Sequence, residues 1–198
     1  MNDVAENLEV IEVASATELH AWLCEHHTQQ LSVWLVTFKN DSVSPSHLAK
    51  YVSRDQVLDE LISFGWIDGV RRKLDDDRTM QLIGPRRVQH WARTYKIRAA
   101  ELVASGRMQT AGLAAIESSR RSGLWDFMDD VDALIAPDDL LAALDALPPG
   151  RANYEAFPPS TKRNTLRWIK LARTDYTRAE RIVRTANLAA RNQRIRNA

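Results

Sequence analysis

The order of apolar and polar residues predicts a first half of the chain that mixes strands with helices. Short runs of β-branched and aromatic residues predict strands at residues 8–13 and 32–38. Apolar residues at helical spacing predict a helix that is capped by Thr17. A capping-box pattern begins a second helix at Ser53, and Gly65 has the usual position of a glycine that ends a helix.

Two further segments predict a β-hairpin, because residues 66–74 and 78–84 are separated by three aspartates. Helical patterns follow over residues 92–105 and 110–123. Prolines then separate four segments of helical pattern, at residues 138–147, 151–157, 161–173 and 175–191. The predicted fold is therefore α+β, with a small antiparallel sheet and helices in the N-terminal half and an all-helical C-terminal module.

The composition is that of an ordinary globular protein. Its 198 residues, 44% of them hydrophobic and 27% charged, suffice for one large domain or two small ones, and we divide the chain into residues 1–130 and 131–198. The single cysteine, Cys24, allows no internal disulfide, and we expect it to pack in a helix. Because no secretory signal and no apolar run of ~20 residues is found, we expect a cytoplasmic protein without a transmembrane segment.

The net charge of +1 hides an uneven distribution of charged residues. Residues 126–145 contain seven aspartates and no lysine or arginine, whereas residues 161–198 contain eleven lysines and arginines against two acids. A basic segment of this kind is typical of nonspecific contact with nucleic acid, an acidic protein partner or a membrane surface. The acidic segment offers a different interpretation, in which the two segments neutralise each other within the fold.

The densest group of candidate functional residues is the FGWIDG segment at residues 64–69, followed by the PRR triplet at residues 85–87 and by Trp91. Asp68 lies between apolar neighbours, so a buried carboxylate there needs a partner. The candidate partners are Arg71, Arg72, Arg86 and Arg87. Such a pair either locks the hairpin or orients a ligand.

A small anionic ligand is the binding partner that these residue types favour. Guanidinium groups suit bidentate contact with phosphate or carboxylate, and residues 86–98 enter a helix whose N-terminus favours negative charge. Trp66 and Trp91 supply flat apolar surfaces, although tryptophans pack in a core more often. The candidate ligand-binding residues are Lys39, Trp66, Asp68, Arg86, Arg87 and Trp91.

Several segments resemble, in the same order, the motifs of the YdeI/OmpD-associated family. The shared motifs of the first part are Trp34-Leu35-Val36 with Lys39, residues 64–69, residues 85–87 with Trp91, and Gly106-Arg107-Met108 with Gly112. Those of the C-terminal part are Ala152 with Phe157, Arg167-Trp168-Ile169, Ala172-Arg173, and Thr177-Arg178 with Arg181-Ile182. The resemblance extends from about residue 10 to 190. It implies a helical C-terminal module and a link to bacteriocin protection or to an outer-membrane porin, but no biochemical activity.

Three hypotheses about function follow. The leading one is a non-enzymatic binding protein linked to stress or bacteriocin protection, which holds a small anionic ligand near residues 64–69 and 85–87. The second is an interaction protein that uses its basic C-terminal helices on nucleic acid or an acidic partner. The third is an enzyme with Asp68 as the acid or base. We expect no metal and no cofactor, because paired cysteines, spaced histidines and phosphate-binding loops are absent from the sequence.

Overall fold

The computed structural model describes residues 8–40, 50–88 and 90–195, and it confirms the α+β class. The chain divides into two compact units, Met1–Asp126 and Phe127–Ala198. Strands occur in the first unit, and the described residues of the second unit form helices and their connections only.

The first unit is built on a four-stranded sheet with the spatial order β1-β2-β4-β3. The strands are β1 (Val10–Glu12), β2 (Val33–Phe38), β3 (Trp66–Lys73) and β4 (Arg78–Pro85), and the helices of this unit are α1 (Ala16–His26), α2 (Arg54–Ser63), α3 (Arg93–Ala104) and α4 (Thr110–Arg121). Strands β3 and β4 form the hairpin that the sequence predicts.

The sheet is mixed, so the prediction of an antiparallel sheet is wrong at one strand. β1 pairs in parallel with β2, whereas β2 with β4 and β3 with β4 are antiparallel. The reason is that α1 connects β1 to β2 as a crossover helix, which brings the chain back to enter the neighbouring strand in the same direction.

The helix starts in the first unit follow local capping chemistry. The side chain of Ser15, and not that of Thr17, caps α1. In α2 the capping box is present, since the Gln56 amide donates to Ser53 Oγ at 3.1 Å and the Ser53 amide donates to Gln56 Oε1 at 2.9 Å. Gly65 follows α2 with a φ of +71°, a left-handed conformation that favours glycine.

The main core of the first unit lies between the sheet and the helices α1 and α2. Helix α1 turns Leu19 and Leu23 toward the core, and both are fully buried. Cys24 is exposed, so the expectation that it packs is wrong. It lies one residue, about 100° around the helix, beyond Leu23 and therefore leaves the buried stripe. The core consists of Val13, Leu19, Leu23, Val33, Leu35, Val52, Val57, Leu61, Phe64, Trp66 and Ile83.

The second unit is a small helical module with its own core. Its helices are α5 (Asp129–Asp132), α6 (Asp138–Asp145), α7 (Gly150–Ala156), α8 (Pro159–Lys170) and α9 (Asp175–Ala190). Apolar residues from these helices and from Met128, Phe157 and their neighbours form one cluster. The cluster includes Leu140 and Leu144 of α6 and Ile169 of α8, all of which are buried. The module therefore folds around an apolar centre without a sheet.

Candidate functional site

In the hairpin, neighbouring side chains of the FGWIDG segment lie on opposite faces of the sheet. Side chains alternate along a strand, so Trp66 and Asp68 share one face and Ile67 has the other. Trp66 belongs to the core under α1 and α2. A β-bulge lies between Asp68 and Arg71, where the register of β3 against β4 shifts. The segment is thus divided between a covered face and an open face.

Trp66 connects the hairpin to α1. Its side chain is 1% exposed, and its indole Nε1 donates a hydrogen bond of 2.9 Å to the carbonyl oxygen of His27. The ring packs edge to face against Trp22, with the ring centroids 5.5 Å apart. The residue is a core tryptophan with its polar atom satisfied, and it presents no ring face to solvent.

Asp68 is held by partners that the sequence did not indicate. Tyr95 of α3 donates its phenolic hydrogen to Asp68 Oδ1, and Gln81 Nε2 donates to Oδ2 at 3.1 Å. Arg54 Nη2 lies 4.0 Å from Oδ2. The side chain of Asp68 is 12% exposed. Burial and the bond to Asp68 raise the pKa of Tyr95, so that its hydroxyl stays protonated and donates.

Arg86 lies against two aromatic rings and makes no ion pair within the described residues. Its guanidinium carbon is 4.0 Å from the ring centroid of Trp91 and 5.3 Å from that of Tyr95. Nη1 donates to the His90 carbonyl oxygen at 3.1 Å, and Nε is buried with no hydrogen-bond partner within the described residues. Burial lowers the pKa of Arg86 to about 10, so the side chain is still a cation at neutral pH.

Trp91 completes this buried group. It is 1% exposed, and its ring lies 5.3 Å from the ring of Trp125. The backbone of Arg86 adds a further connection, because its amide donates to the Gly65 carbonyl oxygen at 3.0 Å. We call Trp66, Asp68, Arg86, Trp91 and Tyr95 the buried frame. The frame ties the two motifs to each other and to α3.

The open face of the hairpin contains a groove of about 270 Å³ beside the same motifs. Its surface comes mainly from apolar side chains and glycines at the end of the β3–β4 pair. We call it the hairpin groove; its lining residues are Ser32, Ile67, Asp68, Gly69, Leu82, Ile83, Gly84, Pro85, Arg87 and Val88. Gly84 lies close to the residue that precedes β2, since a Cβ atom there would lie 2.4 Å from Ser32 Oγ and 3.1 Å from Ser32 Cβ.

Arg87 is the cation of the hairpin groove. Within the described residues its side chain makes one hydrogen bond, in which Nη2 donates to the Gln30 carbonyl oxygen at 2.6 Å. No ion pair to Arg87 is found within the part of the chain that the structure describes. A guanidinium group has five N–H donors, so most of those of Arg87 are available to an anion.

Lys39 is not part of either group. Its Nζ donates to the carbonyl oxygens of Asp75 and Asp76, at 2.9 and 2.7 Å. These residues form the loop of the hairpin, at the opposite end of β3 and β4 from the hairpin groove. The structure thus places four of the six sequence-predicted residues in the buried frame, of which Asp68 also borders the groove; Arg87 lies in the groove, and Lys39 lies apart from both.

The second unit pairs part of its basic helices with its acidic segment. Lys170 Nζ lies 2.5 Å from Asp130 Oδ1, and Arg163 Nε lies 3.6 Å from Asp132 Oδ1. Arg178 makes two hydrogen bonds to Asp139, from Nε at 3.0 Å and from Nη2 at 2.9 Å. These contacts favour neutralisation within the fold for three of the basic residues.

Two further kinds of feature are absent from the described residues. No group of three or more histidine, cysteine, aspartate or glutamate side chains there is arranged to hold a metal ion. None of the helices there combines the length and the apolar character that a membrane crossing requires.

Comparisons with known proteins identify both halves of the chain. The model of the family described as "Bacteriocin-protection, YdeI or OmpD-Associated" matches residues 133–192, and the model of a domain of unknown function, DUF8412, matches residues 11–115. No curated protein and no solved structure matches the chain. The resemblance seen in the sequence is confirmed for the C-terminal part, whereas the FGWIDG and PRR motifs lie within residues 11–115, which the DUF8412 model matches. The chain belongs to the DUF8412 family and carries a YdeI/OmpD-associated module in its C-terminal half.

Proposed function

We propose that the protein binds a small anionic ligand with an apolar body in the hairpin groove. The observation that carries this proposal is the composition of the groove, whose lining comes from the ends of the two motifs, at residues 67–69 and at Pro85, Arg87 and Val88, together with Ser32 and residues 82–84. Its volume of about 270 Å³ lies just below the roughly 300–1,000 Å³ that is usual for ligand pockets, which favours a small ligand.

The chemistry of the hairpin groove favours an amphipathic anion. Ile67, Leu82 and Val88 provide apolar surface for the body of the ligand. Arg87 provides the charge, and its planar guanidinium fork suits a carboxylate or a phosphate. The carboxylate of Asp68 is engaged by Tyr95 and Gln81, and therefore competes little for Arg87.

The buried frame supports the hairpin groove without contributing cations to it. Arg86 is adjacent to Arg87. Its side chain lies over Trp91 and its backbone amide donates to the Gly65 carbonyl oxygen, so residues 85–88 are held beside the start of β3. Because the groove is held rigid in this way, less conformational entropy is lost when a ligand binds. In this account Trp66 and Trp91 position the groove, and neither contacts the ligand.

The family that matches residues 133–192 is named for bacteriocin protection. We propose that capture of the anion contributes to protection against bacteriocins or related stress. A strain that lacks the protein should become more sensitive to a bacteriocin, and expression of the wild-type chain should restore resistance. Expression of the Arg87→Ala variant at equal abundance should not. If the wild-type and Arg87→Ala chains restored resistance equally, the hairpin groove would have no part in protection.

Binding is tested by isothermal titration calorimetry with benzoate. Inorganic phosphate is titrated as well, as an anion that lacks an apolar body. Hydrogen bonds to charged groups contribute about 1.5–3 kcal/mol, so Arg87→Ala should weaken benzoate binding by at least about tenfold. Val88→Trp should also weaken it, because the indole would occupy the groove; Val88 is 42% exposed and tolerates a larger side chain.

Arg72→Ala is the matched control for these variants. Arg72 lies on the same hairpin and is exposed, but its guanidinium carbon lies over the ring of Trp34 at 5.1 Å, outside the lining of the groove. Its removal changes the net charge as Arg87→Ala does and should leave the affinity for benzoate unchanged. Benzoate affinity that is the same in the wild type, Arg87→Ala and Val88→Trp would refute the proposal.

A further inference from the structure

The second unit contains a basic surface that its acidic segment does not neutralise. Arg167, Arg181 and Arg184 have no ion pair among residues 127–195 as the structure describes them, in contrast to Arg163, Lys170 and Arg178. Arg167 and Arg184 are exposed. The basic helices thus have a paired side and an unpaired side.

The unpaired side surrounds a tryptophan. Trp168 is half-buried, and the guanidinium carbons of Arg181 and Arg184 lie 4.8 and 5.8 Å from its ring centroid. Arg181 is held in this position by a hydrogen bond from its Nη1 to the Trp168 carbonyl oxygen. The guanidinium group of Arg181 therefore remains beside the indole ring, and that of the exposed Arg184 lies near the same ring.

A cavity of about 420 Å³ lies at this tryptophan. Asn164, Arg167, Trp168 and Leu171 follow the three- and four-residue spacing of one helix face, and Arg181 completes the lining. None of the five is acidic. The cavity combines cations, a hydrogen-bonding amide and apolar planar surface in one place.

We propose that this surface, defined by Arg167, Trp168, Leu171, Arg181 and Arg184, binds single-stranded nucleic acid. Guanidinium groups contact phosphates, and unpaired bases stack on aromatic rings and on guanidinium planes. An acidic polypeptide would use the cations but has no need of the planar indole–guanidinium surface or of the apolar Leu171. The arrangement therefore favours nucleotides over carboxylate side chains. The contact is independent of sequence, because every base has a face that can stack.

The test is the fluorescence anisotropy of a labelled twelve-nucleotide oligothymidylate with the full-length chain. Contact of three arginines with phosphates gives a slope of log K against log salt of about −2, at roughly −0.7 per phosphate for single strands. Affinity should therefore fall roughly 20-fold between 50 and 200 mM salt. In the double variant Arg167→Gln, Arg184→Gln the slope should fall to about −0.7.

The matched control is the double variant Lys170→Gln, Arg178→Gln. Like the first variant, it removes one positive charge from α8 and one from α9. These two charges, however, are on side chains that are paired with Asp130 and Asp139. Its slope should stay near about −2. Equal losses in the two double variants would show attraction by net charge alone and would overturn the proposal. Displacement of the oligonucleotide by polyglutamate of equal length and at equal concentration would overturn it in favour of an acidic protein partner. Absence of binding at 50 mM salt would also overturn it.

Discussion

The hydrogen bond between Tyr95 and Asp68 is the contact of the buried frame whose contribution can be measured most cleanly. The change Tyr95→Phe removes only the hydroxyl that donates to Asp68 Oδ1. The carboxylate is 12% exposed, so water replaces the lost donor poorly. A hydrogen bond to a charged group contributes about 1.5–3 kcal/mol, and we expect the free energy of unfolding to fall by about 2 kcal/mol.

Urea unfolding followed by tryptophan fluorescence is a suitable assay. Five of the six tryptophans lie in the first unit, so the signal reports mainly on the unit that contains the frame. With a denaturant slope of about 2 kcal/mol per molar urea, the midpoint should fall by about 1 M while the slope stays constant.

Two comparisons isolate the bond. Tyr176 is 74% exposed in the second unit, and Tyr176→Phe should change the free energy of unfolding by less than about 0.5 kcal/mol. In an Asp68→Asn background the tyrosine still donates, but to a neutral oxygen, so the same Tyr95→Phe change should cost only about 1 kcal/mol. An unchanged urea midpoint in Tyr95→Phe would refute the view that this bond stabilises the frame.

Three other changes test the packing and the charge pairs. Gly112→Ala places a Cβ 2.4 Å from the Ser63 carbonyl oxygen, so unfolding should become about 1–3 kcal/mol easier in urea; an unchanged midpoint would contradict the close approach of α4 to α2. Ser53→Ala removes the cap of α2 and should cost about 1 kcal/mol, whereas no loss of helical stability would contradict the capping box. Lys170→Met tests the pair with Asp130: burial raises the pKa of that carboxyl, but hydrogen bonds from Lys170 and the backbone outweigh this and hold the pKa below the usual value of an aspartate. A lowered folded-state pKa gives stability that is present above the unfolded-state pKa and lost as the pH falls through the folded value. The melting temperatures of wild type and Lys170→Met should therefore differ at pH 6 and converge below about pH 4; a constant difference down to pH 2 would contradict this.

The elements that the sequence predicts correctly are those that depend on local chemistry. The capping box at Ser53, the left-handed glycine at Gly65 and the hairpin around residues 75–77 are each determined within a few residues. The direction of β1 is different, because it depends on where a crossover helix brings the chain back. Periodicity alone contains no information about that path, and the antiparallel prediction failed there.

The partner of Asp68 lies beyond the reach of local pattern for the same reason. The sequence favoured arginines that are close along the chain, whereas Tyr95 is 27 residues away and meets Asp68 only after α3 packs beside the hairpin. Its position in the first turn of α3, just after the PRR triplet, is the one signal that could have suggested it.

The roles of Arg86 and Arg87 could not be distinguished in the sequence. The two residues are adjacent and chemically identical, but one lies over Trp91 in the buried frame and the other lines the hairpin groove. Successive side chains at the end of a strand point to opposite faces, so a shift of one residue in register would exchange the two roles. Only the pairing of β4 with β3 decides which arginine is available to a ligand.

The most direct test of ligand binding in the hairpin groove is a titration of the ¹⁵N-labelled protein with benzoate, followed by backbone amide chemical shifts. If benzoate binds in the hairpin groove, the amide shifts of Gly69, Gly84 and Val88 should change in a saturable manner, and these changes should be weak or absent in the Arg87→Ala variant. Saturable shifts confined to other parts of the chain, or shifts at these amides that persist unchanged in Arg87→Ala, would contradict it.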